Sequence, residues 1–167
     1  KYSSNQKKVR YLATTSLAEY YYNNKNYKLA VSNYKKIIGN REDEWLTKNL
    51  YNYGWCLLKT HKFDDAINRL EDSYKMSSNE YYIDMREQVI NSLVSFYVYG
   101  KQIERGIAFI NKHATDKHAS LLKLAQKASG KGYFVETERI IADLENRINP
   151  KKELSLYTDM RLFQFDL

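Results

Sequence analysis

The chain has 167 residues, the length of one ordinary domain, and 43% apolar with 28% charged residues is enough for a folded core. Six glycines and one proline are too few for the many tight turns of an all-β fold, so the composition favours helices. The single cysteine excludes an internal disulfide and a cysteine-rich zinc site, and no apolar run reaches the roughly 20 residues of a membrane span.

The net charge of +7 is concentrated at the start of the chain. Residues 1–41 hold nine Lys and Arg against Glu19 alone, a net +8, whereas the remaining 126 residues hold 18 basic and 19 acidic groups. Such a segment is either a surface for an acidic partner or, more often, a solvated face. Because the chain opens with neither Met nor an apolar segment, we expect a fragment of a longer protein whose signal peptide is absent or already removed.

Helical periodicity predicts one pattern, repeated four times: a helix, a short polar break and a second helix. The four units span about residues 6–40, 43–77, 79–112 and 115–148 of a single domain. In each second helix a small residue recurs at the corresponding position: Ala30, Ala66, Gly106 and Thr137. The sequence from Ser77 to Glu80 predicts a helix cap that opens the third unit. Asn149 and Pro150 predict the start of an extra helix over 151–166.

The first two units carry a recognisable motif. Leu17-Ala18-x2-Tyr21 is followed by Ala30-x3-Tyr34, and Tyr53-Gly54-x2-Leu57 is followed by Ala66-x3-Leu70. This pattern resembles the tetratricopeptide repeat, a helix–turn–helix unit of about 34 residues, and the third and fourth copies are degenerate. The resemblance implies an all-α, right-handed solenoid of about four hairpins plus a terminal helix. It also implies a non-enzymatic scaffold that binds a protein or peptide partner.

In that family the first helices of the hairpins line a concave groove. The residues that the resemblance places there are Thr15, Glu19, Tyr22, Asn23, Tyr51, Asn52, Trp55, Lys59, Asn91, Ser95 and Tyr99. Trp55 is either a binding hot spot or a packing residue between hairpins. Family members that clamp chaperone tails carry Lys and Asn where this chain has Thr15 and Glu19, so only Asn52 fits, and a chaperone-tail clamp is disfavoured.

The residues that could do chemistry lack the necessary spacing. Cys56 and His61 are five residues apart, about 140° around a helix, so they would not share a face as a nucleophile and its base. His113 and His118 also miss the i, i+4 spacing of a zinc site. Residues 129–132 lack the strand and the Lys-Ser/Thr ending of a phosphate loop and are better explained as a turn. We therefore predict no enzyme, metal, cofactor or small-molecule substrate.

Two other functions stay open. The sequence from Glu19 to Tyr22, with lysines around it, suggests RNA or other polyanion binding, because aromatic rings stack on bases and Lys contacts phosphates. The lysines fall on several helix faces, however, which makes this the weaker alternative. The chain could also be a regulatory or oligomerisation domain that self-associates. The resemblance, together with the degenerate repeats and the composition rich in Tyr, Lys and Asn, implies a bacterial multiprotein or cell-envelope assembly. The compartment stays open between the periplasm or cell envelope and the cytoplasm.

Overall fold

The computed structural model describes residues 2–165, and the side chains of residues 5–165. All regular elements within this range are helices, which confirms the predicted all-α class. The helices are α1 (Tyr2–Asn23), α2 (Tyr27–Ile37), α3 (Leu46–Lys59), α4 (Phe63–Met76), α5 (Arg86–Tyr99), α6 (Ile103–His113), α7 (Lys117–Ser129), α8 (Phe134–Arg147) and α9 (Leu154–Phe165).

The chain divides into two compact units, Lys1–Val89 and Ile90–Leu167. The first unit holds α1 to α4, in which each helix packs on the next. The second unit holds most of α5 together with α6 to α9, and there α7 contacts α6, α8 and α9. Helices joined by only a few residues and packed on each other must run antiparallel, so these helices form hairpins.

The same turn closes all four hairpins. Its central residue has a positive φ angle of 58°, 61°, 56° and 81° at Lys25, His61, Lys101 and Gly132, respectively. The next residue donates its N–H to the carbonyl five residues back, over 2.8–3.0 Å: Asn26 to Tyr21, Lys62 to Leu57, Gln102 to Tyr97 and Tyr133 to Ala128. This is the Schellman arrangement, which satisfies carbonyls that a helix end would otherwise leave unpaired. The polar breaks predicted from the sequence are these turns.

The turn also fixes where each second helix begins. The residue that follows the positive-φ position has a backbone carbonyl that accepts a hydrogen bond. The donor is the backbone N–H of the residue four positions later in the chain. In every hairpin that fourth residue is the small one identified from the sequence, Ala30, Ala66, Gly106 or Thr137, at 2.9–3.0 Å. The small residue therefore occupies the first turn of the second helix, where it meets the end of the first helix.

Close helix approach explains the small residues. A Cβ atom added to Gly54 would lie 2.1 Å from Leu70 Cδ1 and 3.2 Å from the Ala66 carbonyl oxygen, so α3 and α4 touch through this glycine. A Cβ atom at Gly106 would lie 2.8 Å from Cδ2 of the fully buried Tyr97 ring. Larger side chains fill the remaining space, and Tyr34, Ile67 and Leu70 are all inaccessible to solvent.

Several local predictions were wrong. Leu17 belongs to the apolar motif of the first unit, but it is 47% exposed and lies outside the core. Ser77 does not cap the third unit, because it ends α4, and α5 begins only at Arg86. The Ser77 hydroxyl instead accepts the N–H of Met85 at 3.1 Å, which holds the end of a long connection.

The terminal helix also begins later than predicted. Asn149 was expected to be its N-cap and Pro150 its first residue, but α9 starts at Leu154. The Asn149 side chain instead accepts the N–H of Lys151 at 3.0 Å within a turn. The Glu153 N–H returns to the Asn149 carbonyl at 2.9 Å, so this turn uses the capping groups before the helix begins.

Candidate functional site

The first helices of the first two hairpins meet along one side of the first unit. The Tyr11 hydroxyl donates to Asp43 at 2.6 Å, just ahead of α3, and Lys48 Nζ on α3 lies 3.2 Å from Glu19 Oε1 on α1. Tyr11 and Glu19 are eight residues apart, so they lie on the same face of α1. Of the predicted groove residues, Glu19 belongs to this junction through its ion pair, and Tyr22 on α1 is close enough to Tyr51 on α3 to interact with it electrostatically.

A line of aromatic rings continues the junction, and we call Tyr27, Tyr22, Tyr51 and Trp55 the aromatic strip. The Tyr22 and Tyr27 ring centroids are 6.5 Å apart, and those of Tyr51 and Trp55 are 6.4 Å apart, both edge to face. Lys59 Nζ lies 5.9 Å from the centre of the Trp55 ring, at the edge of a cation–π contact. All four rings are half-buried, so each keeps an accessible surface.

Burial disfavours ionisation of Tyr22 in the strip and of the neighbouring Cys56. Burial raises the pKa of the Tyr22 phenol, and the neighbouring Cys56, Tyr51 and Tyr27 add to the rise. Cys56 is fully buried, and burial raises the pKa of its thiol to about 12, so the thiol stays protonated and lacks the thiolate that a nucleophile needs. This surface therefore offers apolar rings and hydroxyl groups, with Lys59 at one end and the Glu19–Lys48 pair beside it.

The other predicted residues of the first unit have different surroundings. Thr15 is half-buried, and its hydroxyl donates to the Tyr11 carbonyl at 3.0 Å. Asn23 is exposed at the end of α1. Asn52 is only 9% exposed, and its side chain opposes the rise that burial causes in the pKa of Tyr34. Asn52 therefore belongs to the core, which corrects its assignment to the groove.

The predicted residues of the second unit share one face of α5. Asn91, Ser95 and Tyr99 follow one another at intervals of four, and Asn91 and Tyr99 are exposed while Ser95 is half-buried. Lys131 Nζ lies 5.0 Å from the centre of the Tyr99 ring. These three residues form a short polar and aromatic face within their own unit.

The sequence patterns missed a cleft in the first unit. It has a volume of about 870 Å³, and Lys7, Lys8, Glu44, Trp45 and Tyr81 are among the residues that line it. The Trp45 Nε1–H donates to Glu44 at 3.1 Å, and Lys48 Nζ lies 5.0 Å from the Trp45 ring centre. The available signal was a tryptophan that directly follows an acidic run, at the start of the second unit and just before α3.

Asp64 and Asp65 lie in the first turn of α4, where carboxylates favour the positive end of the helix dipole. Among the side chains of residues 5–165, no group of three or more His, Cys, Asp or Glu is arranged to hold a metal ion. Within the described helices, none is both long and apolar enough to cross a membrane.

Comparisons with known proteins add no relative. No protein-family model matches the chain, and neither the curated proteins nor the solved structures give a significant match. Inference about function therefore depends on the helical hairpins, the aromatic strip and the charges around them.

Proposed function

We propose that the protein is a non-enzymatic interaction scaffold that binds a peptide or protein segment along its aromatic strip. In this proposal the four hairpins stack as a right-handed solenoid of tetratricopeptide-like repeats, and the strip belongs to its concave side. The observation that carries the proposal is the row of half-buried rings from α1 to α3, Tyr22, Tyr51 and Trp55, with charged groups at its edge.

Binding at the strip is favourable because a partner that covers the rings removes their apolar surface from water. Tyr and Trp bury large areas on binding and lose few torsional degrees of freedom, which is why they dominate binding hot spots. Half-buried rings held by their neighbours are already ordered, so a partner would not have to fix them. Lys59 and the Glu19–Lys48 pair would orient a partner of mixed charge.

A peptide-display selection against the purified chain tests this proposal. The selected peptides should bind wild-type protein and lose about tenfold or more of their affinity to Trp55→Ala or Tyr22→Ala. Tyr20→Ala is the matched control, because Tyr20 lies on the same helix as Tyr22 but is 61% exposed on another face. Peptides that lose as much affinity to Tyr20→Ala, or none to Trp55→Ala, would contradict the proposal.

A salt titration separates peptide recognition from polyanion binding. Binding of nucleic acid falls steeply with salt, because each neutralised phosphate releases counterions. Recognition through the aromatic strip should change little over the same salt range, because ring burial is not screened. A steep salt dependence for every ligand that the chain binds would favour the polyanion alternative.

A further inference from the structure

The outer face of α1 is apolar and exposed. Val9, Leu12, Leu17 and Tyr20 are 66%, 54%, 47% and 61% accessible to solvent. Val9 and Tyr20 share one side of the helix with Ala13 and Ser16, within about 60° around the axis, while Leu12 and Leu17 lie at its two edges. Among the described α1 side chains, residues 5–23, none on this side is charged. We call Val9, Leu12, Ala13, Ser16, Leu17 and Tyr20 the outer face.

The outer face is separate from the aromatic strip. Ala18, which is fully buried, lies opposite Val9 on the helix. Tyr22 is about 140° away from Val9 around the axis, and Glu19 is directed to Lys48 on α3. A ligand on the strip therefore leaves the outer face uncovered, and the two surfaces can be tested independently.

The hairpin that carries the outer face has an excess of positive charge. Glu19 is its one acidic residue among residues 5–41, and it is paired with Lys48. Seven exposed cations of this hairpin make no ion pair with any side chain that the structure describes: Lys7, Lys8, Arg10, Lys25, Lys28, Lys35 and Lys36. Helix α2 contains no acidic residue, and Lys28, Lys35 and Lys36 fall on its solvent side.

We propose that the first hairpin binds an anionic lipid surface through the outer face of α1 and the unpaired cations of the same hairpin. A single helix presents a convex face, and a membrane interface accepts a convex face whose apolar side chains enter the headgroup region while nearby lysines contact anionic lipids. The contact is peripheral and involves no membrane span.

Two features favour a lipid surface over other anionic partners. A nucleic acid would use the lysines but would leave Val9, Leu12, Leu17 and Tyr20 unexplained. A protein helix with acidic margins would need cations in two rows beside the apolar face, whereas these cations are spread over α1, the turn and α2. Six of the seven are Lys, a hydrated point charge that suits a diffuse negative surface better than paired contacts with individual carboxylates.

The test measures binding of the whole chain to lipid vesicles by co-sedimentation. Vesicles of phosphatidylcholine mixed with phosphatidylglycerol should bind the protein at low salt, and vesicles of phosphatidylcholine alone should not. Lys28→Gln/Lys35→Gln should lower the partition coefficient roughly thirtyfold, because each lysine near an anionic surface contributes about fivefold. Lys112→Gln/Lys127→Gln, which removes two exposed lysines of the second unit, is the matched charge control and should have little effect.

A second pair of variants tests the apolar contribution. Val9→Ser/Tyr20→Ser should reduce binding to the mixed vesicles at least tenfold, whereas Phe134→Ser/Val135→Ser, which alters two exposed apolar residues of the second unit, should leave it unchanged. Trp55→Ala should bind the vesicles like wild type, which separates this proposal from the peptide-binding one. The proposal is overturned by absent binding to the mixed vesicles, by full binding of Val9→Ser/Tyr20→Ser, or by equally tight binding to an oligonucleotide.

Discussion

The second and fourth hairpins share one turn but differ in how their helices touch. In the α3/α4 hairpin the helices can touch because Gly54 has no side chain and leaves room for Leu70 beside Ala66. In α7/α8 a threonine occupies the position of Ala66, and the Thr137 hydroxyl donates at 2.8 Å to the Tyr133 carbonyl and lies 3.3 Å from that of Ala125. The turn keeps the hairpin geometry, so the contact residue can change provided that it is small and its polar atoms are satisfied.

In the third hairpin the glycine meets the base of a buried aromatic ring rather than the end of a flexible side chain, and it gives the largest expected effect. Gly106→Ala would bring a methyl group within 2.8–3.1 Å of Cδ2, Cγ and Cβ of the buried Tyr97. We expect a loss of about 2–3 kcal/mol in the free energy of unfolding, because the ring cannot move without shifting α5. Chemical denaturation measures the effect.

Gly130→Ala is the control for that variant. Its new methyl group would meet only the carbonyl oxygens of Gln126 and Lys127, at 3.6 and 3.8 Å, which are ordinary contacts. Gly130→Ala should therefore leave the denaturation midpoint nearly unchanged. A Gly106→Ala protein as stable as Gly130→Ala would show that α5 and α6 are not in close contact.

Overpacking the second hairpin is the next largest effect. Ala66 is fully buried, so Ala66→Leu adds atoms where α3 and α4 touch and should cost about 2 kcal/mol of stability. Ala142→Leu is the matched control, since Ala142 is exposed on another second helix. The difference in denaturation midpoint between the two variants measures the effect, and equal midpoints would exclude tight packing at Ala66.

Thr137→Val tests how the fourth hairpin tolerates a polar contact residue. Valine keeps the shape of threonine but loses the hydroxyl, so the variant should be about 1 kcal/mol less stable. Thr158→Val is the control, because the Thr158 hydroxyl also donates to the carbonyl four residues back but is exposed. A Thr137→Val protein at least as stable as wild type would mean that the hydroxyl is not needed there.

The shared turn gives the smallest predicted change. Lys101 has a φ of 56°, where a side chain is strained and glycine is not, so Lys101→Gly should stabilise the chain by about 0.5–1 kcal/mol. The reverse change, Gly132→Ala at φ 81°, should destabilise it by about 1 kcal/mol. Thermal unfolding of both variants checks the signs, and two shifts in the same direction would contradict the equivalence of the turns.

Local sequence patterns were sufficient to predict the four hairpins. The spacing of Ala30, Ala66, Gly106 and Thr137 located all four second helices, because one small residue and one short turn are encoded within a few positions of each other. The segment before α5 could not be found in this way. Its backbone is held by distant groups, with the Ile83 N–H donating to the Glu44 carbonyl at 3.0 Å and Thr47 to the Ile83 carbonyl at 2.7 Å.

The candidate site was predictable only in part. Glu19, Tyr22, Tyr51 and Trp55 were identified from their place on the first helices, and the structure brings Glu19 beside Lys48 and Tyr51 beside Trp55. Asn52 was wrongly assigned to the groove because a helical wheel of α3 does not show its neighbour on α2. That neighbour is the buried Tyr34, whose hydroxyl interacts with the Asn52 side chain. Trp45 was missed because its surroundings come from α1 and from Tyr81, both far away in sequence.

Fluorescence of Trp55 during a peptide titration tests the central claim most directly. In a Trp45→Phe protein, Trp55 is the only tryptophan, and it is half-buried before binding. A peptide selected on the wild-type protein should shift its emission to shorter wavelength, with the same midpoint as binding measured independently and little dependence on salt. Saturation binding of that peptide with no change in Trp55 emission would contradict the assignment of the aromatic strip as the binding surface.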